Sequence, residues 1–220
     1  MIRALIFDMD GLMIDSERLY FQTEREMARK YHKTVSHKTL WKMMGRNPVE
    51  SMRVFVKEVG LPLKPEEALE MRNKLMRVKL KTELKPMPGL FTVLNTFTGH
   101  LKMAVCTSAQ QEFLDIVVDQ LEIRNKFEVL QSSNEIDKGK PNPEIYLTTC
   151  RKLGLSSRDC VVLEDSSNGV LSGKRAGCYV IAIPTPYTEG QDFRKADFTA
   201  PDLFQAGKYI KNLLKDITRG

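Results

Sequence analysis

The chain has 220 residues, of which 42% are apolar and 28% are charged, a composition typical of a soluble globular protein. This composition excludes collagen-like, disordered and disulfide-stabilised mini-proteins. No apolar run reaches the roughly 18 residues that a membrane-spanning helix needs. A chain of this length corresponds to one domain, or to one domain that carries a smaller insert.

The net charge of +6 is concentrated in one part of the chain. Residues 16–86 contain 17 Lys and Arg against 9 Asp and Glu, whereas the remainder contains 17 against 19. The basic residues are scattered and lack interleaved aromatic side chains. We therefore expect a small anionic partner and no nucleic acid.

The four cysteines have no C-x-x-C spacing, and charged residues appear within the first eight positions, too early for a secretory signal peptide. We expect reduced thiols that fill the core, as is usual for cytoplasmic proteins. The expected protein is cytoplasmic and monomeric, and it has no membrane partner.

The first predicted element is a buried strand, Ile2–Phe7, which ends at Asp8-Met9-Asp10-Gly11. Residues 16–84 then lack any strand pattern and predict four helices, because Gly and Pro punctuate four amphipathic stretches. These helices are expected from Asp15 or Ser16 to about Tyr31, and at Lys38–Met44, Val49–Val59 and Glu66–Leu80, with Trp41, Met43 and Met44 in their core. The sequence therefore predicts a helical domain, 16–84, inserted into a larger domain formed by residues 1–15 and 85–220.

After the insert, short apolar runs alternate with helical patterns. Strands are predicted at Met103–Thr107, Phe127–Leu130, Cys160–Leu163 and Tyr179–Ile183, and helices at Gln110–Leu121, Pro143–Leu153, Asn168–Ala176 and Leu203–Leu214. This alternation is typical of βαβ units and a parallel sheet that is covered on both faces. The predicted fold class is α/β, a Rossmann-like parallel sheet with a small four-helix insert after the first strand.

Polar residues follow the predicted strands, and ligands bind at the carboxyl ends of the strands in an open parallel sheet. These residues are Asp8 and Asp10, Thr107 and Ser108, Lys140 in a later turn, and Glu164 and Asp165. Four carboxylates in one crevice repel each other unless a cation lies between them. Oxygen ligands without His or Cys select a hard ion, and Mg²⁺ is the first choice.

Lys140 and Thr107 would then supply a positive charge and a hydrogen-bond donor to an anionic group. Together these residue types describe a phosphate site in which one carboxylate is free to attack. The plainer alternative is that Asp8 and Asp10 only end a strand in a turn with Gly11. Four such elements, each placed where a strand ends, favour the phosphate site.

The set Asp8-Met9-Asp10-Gly11, Thr107-Ser108, Lys140-Pro141 and Glu164-Asp165-Ser166-Ser167-Asn168-Gly169 resembles the motifs of the haloacid dehalogenase-like superfamily. The resemblance covers essentially the whole chain, and the helical insert corresponds to the small cap of that family. The most similar group contains the β-phosphoglucomutase-like enzymes and the pseudouridine- or sugar-phosphate phosphatases. The resemblance implies the fold of that superfamily and a mechanism through an aspartyl phosphate.

The resemblance also assigns catalytic roles. Asp8 would be the nucleophile, whose carboxylate forms an acyl phosphate and so divides the hydrolysis into two displacements. Asp10 would first protonate the leaving oxygen as a general acid and then activate water as a general base. The backbone carbonyl of Asp10 would ligate Mg²⁺, which leaves the Asp10 carboxyl free for proton transfer.

The remaining site residues would bind the phosphate and the metal. Thr107, through its hydroxyl, and Ser108, through its backbone N–H at a helix start, would donate to the phosphoryl group, and the Ser108 side chain is expected to cap that helix. Lys140 would neutralise the phosphate and hold it near the nucleophile. The implied metal ligands are Asp8, Asp10, Asp165 and Glu164, the last either directly or through water.

The branch of the family follows from Asp10, from Tyr20 and from one loop of the insert. Asp10 indicates phosphoryl transfer, since haloacid dehalogenases have no Asp at that place. β-Phosphoglucomutases carry a His where this chain has Tyr20, and a Lys and an Arg around the loop that here reads Met44-Gly45-Arg46-Asn47-Pro48. These departures favour a Mg²⁺-dependent phosphatase for small phosphorylated metabolites, sugar or nucleoside. The alternatives are a hexose-phosphate mutase and a non-catalytic protein that binds a phosphate ligand.

Overall fold

A computed structural model describes residues 1–43, 48–188 and 190–219, with side chains as far as Lys215. These residues form two compact units, Met1–Asp15 with Lys85–Gly220, and Ser16–Leu84. Part of the loop that distinguishes the mutases, residues 44–47, lies outside the described residues. In the described part of the chain, every helix is too short or too polar to cross a bilayer.

The larger unit is built on a parallel sheet. Within the described residues its strands are β1 (Ala4–Phe7), β2 (Lys102–Cys106), β3 (Val129–Gln131), β4 (Cys160–Glu164), β5 (Tyr179–Ala182) and β6 (Phe198–Thr199). They pair in the order β3-β2-β1-β4-β5-β6, and each pair is parallel. The predicted α/β class is confirmed.

The helices take the following bounds: α1 (Ser16–Lys30), α2 (His37–Met43), α3 (Pro48–Val59), α4 (Pro65–Thr82), α5 (Leu90–Phe97), α6 (Gln111–Gln120), α7 (Glu144–Lys152), α8 (Ser167–Ala176) and α9 (Leu203–Arg219). The first four make up the helical unit, and the others belong to the unit that contains the sheet.

The sheet is buried on both faces, as its continuous apolar strands predict. The side chains of β1 all have zero exposure, although successive residues point to opposite faces. On one face, Ile6 belongs to a core cluster with Tyr146 and Cys150 of α7 and Val170 of α8. These two helices therefore pack directly beneath the strands that carry the predicted site.

Three local predictions differ from the structure. Neither α5 nor β6 was predicted from the sequence. α5 begins directly after Gly89, which has a left-handed φ of 92°, and β6 has two residues, too few for a periodic signal. Trp41 was placed in the core of the insert, but it is 62% exposed. The buried stripe of α2 is formed by Thr39, Leu40 and Met43, and Trp41 lies about 100° around the helix from Leu40.

Among its described residues, the helical unit buries two ionisable side chains. Glu24 of α1 is 4% exposed and Arg72 of α4 is 8% exposed. The Arg72 guanidinium lies 5.2 Å from the centre of the Tyr20 ring, a cation–π distance. Burial raises the pKa of Glu24 to about 8, although the nearby Arg72 and Arg25 lower it in part. At neutral pH the Glu24 carboxyl is therefore mainly protonated.

Candidate active site

The register of the sheet brings the strand-end residues together. β1 lies between β2 and β4, and Phe7 pairs with Val105 on one side and Leu163 on the other. Asp8 follows Phe7, and its N–H donates to the Leu163 carbonyl at 3.0 Å. The next residue of β4 is Glu164. The carboxyl ends of three adjacent strands therefore meet at one edge, where ligands bind in sheets of this kind.

Lys140 joins two of the carboxylates at this edge. Its Nζ donates to Asp8 Oδ1 at 2.5 Å and to Glu164 Oε1 at 2.6 Å. A third contact reaches the Cys106 carbonyl at 3.4 Å. The lysine side chain is only 8% exposed. Three protein oxygens thus surround the ammonium group, which fixes the position of the charge beside Asp8.

Glu164 is fully buried and accepts hydrogen bonds from four donors. Besides Lys140, its Oε1 accepts from the Tyr146 hydroxyl at 2.8 Å. Its Oε2 accepts from the Ser166 N–H at 3.1 Å and from the Ser166 hydroxyl at 3.0 Å. Gly169 in the first turn of α8 faces the carboxyl, and a Cβ at this position would overlap it. The site therefore requires glycine at this close approach.

Burial and charge shift the proton affinities of these groups. Burial raises the pKa of Asp8 well above its usual range; Lys140 lowers it, but the carboxylates of Glu164 and Asp10 raise it further. Burial lowers the pKa of Lys140, but the nearby carboxylates of Asp8 and Glu164 raise it by more, so this pKa lies above its ordinary value. Burial and the nearby Glu164 also raise the pKa of Tyr146, so its hydroxyl keeps its proton and donates.

Asp10 and Thr107 are brought together at the same edge. The Thr107 hydroxyl donates to Asp10 Oδ2 at 3.2 Å and accepts from the Ala109 N–H at 3.0 Å. Thr107 is fully buried, whereas Asp10 is partly exposed. The sequence predicts that the Thr107 hydroxyl binds a phosphoryl oxygen. In this structure the same hydroxyl orients the Asp10 carboxyl.

Ser108 does not begin a helix, and in this respect the prediction was wrong. α6 begins at Gln111 with Gln110 at its N-cap, so the exposed Ser108 neither caps the helix nor lies in its first turn. The physical reason is the Thr107 hydroxyl, whose bond to the Ala109 N–H bends the chain before the helix starts. Phosphate binding by the Ser108 backbone remains a prediction.

Three carboxylates could hold a metal ion. Asp8, Glu164 and Asp165 each offer an oxygen, these oxygens lie within 4.8 Å of one another, and all three residues are buried. Asp165 follows β4 directly and is 4% exposed. These three buried carboxylates and the Lys140 ammonium together leave an excess of negative charge among these four groups. A divalent cation with oxygen ligands fits this donor set.

Tyr146 belongs to the site, although no sequence pattern predicted it there. Tyr146 lies on the buried side of α7 with Ile145, Thr149 and Cys150, and its sequence position gives the pattern of a core residue. One feature of the sequence could have indicated this role. Tyr146 follows Lys140 by only six residues, and a buried tyrosine hydroxyl needs a hydrogen-bond partner.

Comparison with known proteins identifies the family. The model for haloacid dehalogenase-like hydrolases matches residues 5–183. The chain belongs to this family. The resemblance noted in the sequence is thereby confirmed, including the β-phosphoglucomutase-like group within the superfamily.

Curated relatives of this hydrolase span most of its length. YhcW of Bacillus subtilis, provisionally named a phosphatase, is 31% identical over 194 residues, which cover 86% of each chain. The phosphorylated carbohydrates phosphatase of Thermotoga maritima is 32% identical over 187 residues, which cover 80% of this chain and 82% of the relative. These comparisons support a phosphatase of the haloacid dehalogenase-like family.

A solved structure shows the same fold. CbbY from Rhodobacter sphaeroides, crystallised in complex with phosphate, matches this hydrolase with a TM-score of 0.84 and 22% sequence identity. The match covers 94% of this chain and 99% of CbbY. At this identity the likeness shows the fold alone.

Proposed function

We propose that this hydrolase is a Mg²⁺-dependent phosphomonoesterase that acts on small phosphorylated metabolites through an aspartyl phosphate on Asp8. The observation that carries the proposal is the position of Asp8, a buried carboxylate held by Lys140 where three parallel strands end. The curated relative that acts on phosphorylated carbohydrates supports this substrate class.

In the first step, a carboxylate oxygen of Asp8 attacks phosphorus while the bond from phosphorus to the leaving oxygen breaks. Asp10 gives its proton to that leaving oxygen, so the product departs as a neutral alcohol. Lys140 keeps the Asp8 carboxylate in one orientation and places a positive charge beside the incoming phosphate. Positioning of this kind accounts for much of the catalysis of phosphoryl transfer.

In the second step, Asp10 is a carboxylate and takes a proton from water. The water oxygen bonds to phosphorus, the bond between phosphorus and Asp8 breaks, and inorganic phosphate leaves. The Thr107 hydroxyl supports both steps because it donates to Asp10 Oδ2 and so directs this carboxyl. Asp8 is then again a free carboxylate, and Asp10 is again protonated.

Asp8, Asp165 and the Asp10 backbone carbonyl would hold the Mg²⁺, with Glu164 beside them. When bound, the ion supplies positive charge that screens the repulsion between the Asp8 carboxylate and the phosphate dianion. Glu164 already accepts from four protein donors, so we place it as the residue that holds Lys140, with contact to the metal through water. The helical unit, 16–84, is proposed as the cap, and the protein as a monomer.

The proposal is tested by phosphate release from sugar phosphates, nucleoside monophosphates and phosphoglycolate, with Mg²⁺ or with excess chelator. The wild type should release phosphate from at least one substrate and only with Mg²⁺. Asp8→Asn should retain less than a few per cent of that activity with an unchanged or higher thermal midpoint, because it relieves repulsion among the carboxylates. Asp192→Asn, at an exposed position, is the matched control. Turnover in chelator, or an active Asp8→Asn variant, would refute the proposal.

A mutase differs from a phosphatase in the product. A mutase must protect its aspartyl phosphate from water, and a tyrosine with an ordinary pKa near 10 cannot replace an imidazole in such a gate near neutral pH. Tyr20 lies on α1 beneath the Arg72 guanidinium. With β-glucose 1-phosphate and a trace of the 1,6-bisphosphate, ³¹P NMR should show inorganic phosphate. Faster formation of glucose 6-phosphate would establish the mutase instead.

A further inference from the structure

The least expected contact of the site is made by a tyrosine. Tyr146 has zero exposure, lies on α7, and directs its hydroxyl at Glu164 Oε1 over 2.8 Å. The same oxygen accepts from Lys140 Nζ at 2.6 Å. Tyr146 also contacts the lysine directly, because Lys140 Nζ lies 5.0 Å from the centre of its ring. The ring and the hydroxyl thus act on the same ion pair.

We propose that Tyr146 is a positioning residue that holds Glu164 and thereby fixes Lys140 against the nucleophile Asp8. The inference rests on the proposed function for the role of Asp8, but the geometry of the four side chains stands without it.

The orientation of Glu164 depends on donors from two sides. Ser166 fixes Oε2 through its N–H and its hydroxyl, and Tyr146 and Lys140 share Oε1. Without the phenol, Oε1 would keep only the lysine, and the carboxylate could rotate about its bonds toward that charge. Hydrogen bonds to a charged acceptor are among the stronger ones in proteins, so the loss of the phenol removes a substantial restraint on the orientation of Glu164.

Lys140 transmits such a rotation to Asp8. Its three contacts are to Asp8, Glu164 and the Cys106 carbonyl, so a shift of one acceptor moves the ammonium relative to the other two. The Asp8 carboxylate is positioned by the shortest of these contacts. A small displacement of an attacking group lowers the rate of the chemical step more than it lowers substrate binding.

The experiment compares Tyr146→Phe with Tyr179→Phe. Both variants lose one phenol hydroxyl that makes a hydrogen bond. Tyr179 lies at the amino end of β5, and its hydroxyl pairs with the hydroxyl of Tyr209. Tyr146→Phe keeps the ring over Lys140 and removes only the bond to Glu164. We expect kcat to fall about tenfold with KM within threefold, whereas Tyr179→Phe keeps the wild-type kcat and KM. Assays well below both thermal midpoints separate this effect from unfolding.

A second readout does not depend on activity. The wild type and both variants are treated with an acetylating reagent, and the rate of Lys140 acetylation is measured by peptide mass spectrometry. Tyr146→Phe should change the rate of Lys140 acetylation at least threefold relative to Lys152, the internal reference, because the ammonium group moves relative to its carboxylate acceptors, while Tyr179→Phe should leave that rate unchanged.

The outcomes separate the two proposals. Unchanged kcat and unchanged Lys140 acetylation in Tyr146→Phe overturn the role of Tyr146. A fall in kcat and a rise in KM of equal size, with unchanged acetylation, also contradict it. If the wild type hydrolyses no phosphomonoester, the proposed function fails, and the acetylation rates still decide whether Tyr146 holds Lys140.

Discussion

Lys140 forms ion pairs with two buried carboxylates, Asp8 and Glu164, at the edge of the sheet. Its ammonium group contacts Asp8 and Glu164 together, yet burial still raises the pKa of Asp8 well above its usual range. The identity and rough position of these residues could be predicted from the sequence, because each follows a strand or a turn at the carboxyl end of a parallel sheet.

The hydrogen-bond partners of the site residues could not be predicted in the same way. The Thr107 hydroxyl bonds to Asp10 because the turn at Ala109 fixes its direction. Tyr146 reaches Glu164 because α7 packs against α8 and against β2 and β3 of the sheet. Both contacts depend on rotamers and on helix packing, which a strand-end pattern does not contain.

A buried carboxyl outside the site gives a prediction about stability. The pKa of Glu24 is raised from 4.5 to about 8, so the unfolded chain ionises first as the pH rises. The wild type should therefore lose stability between pH 4.5 and 8, by up to about 1.4 kcal/mol per pH unit, with no further loss above that window. Glu24→Gln removes this dependence. The thermal midpoint of this variant should therefore rise relative to that of the wild type as the pH increases from 5 to 8.

The control for this measurement is Glu26→Gln on the same helix, at a side chain that is 41% exposed. Its midpoint difference from the wild type should not grow over the same pH range. A constant difference between Glu24→Gln and the wild type at pH 5, 6.5 and 8 would contradict the assignment of a protonated, buried Glu24.

At the scale of elements, the first turn of α8 and the end of β4 form one structure. Ser166 is the N-cap of α8, where its hydroxyl accepts from the Gly169 N–H, and it also donates to Glu164. The bounds of α7, α8 and most strands agree with the sequence patterns within about two residues. α5 and β6 do not follow from those patterns, since one is a short helix rich in Phe and Thr and the other has two residues.

Two glycines of α8 give a matched pair of variants. In Gly169→Ala the new Cβ would overlap the Glu164 carboxyl, and in Gly173→Ala it would lie 2.8 Å from a methyl group of Val180. Gly169→Ala should lower kcat at least tenfold, because Glu164 must leave Lys140. Gly173→Ala should lose about 1–3 kcal/mol of stability by overpacking and keep its kcat.

Phosphate-release assays and thermal denaturation of both proteins decide this prediction. Equal effects of the two substitutions on kcat would show that the close approach of α8 to Glu164 has no special role in the reaction.

At the scale of the whole molecule, the described residues form a sheet unit and a helical unit. The sequence shows the boundary between them as a change from strand-like runs to helical patterns. Strand-like runs stop after Phe7 and resume at Lys102. The excess of basic residues in 16–86 also separates the two parts. The sequence could not predict the interior of the helical unit, where Arg72 is buried and Trp41 is exposed. Hydropathy alone assigns these two positions the other way round.

The most direct test of the account is to find the phosphoryl group on Asp8. Asp10→Asn should accumulate the intermediate with para-nitrophenyl phosphate and Mg²⁺, because this leaving group needs no acid while hydrolysis of the acyl phosphate needs the base. Acid-quenched protein should show an added mass of about 80 Da on the peptide that contains Asp8, and Asp8→Asn should show none. An adduct on another residue, or para-nitrophenol released in a rapid burst without any adduct on Asp8, would contradict the account.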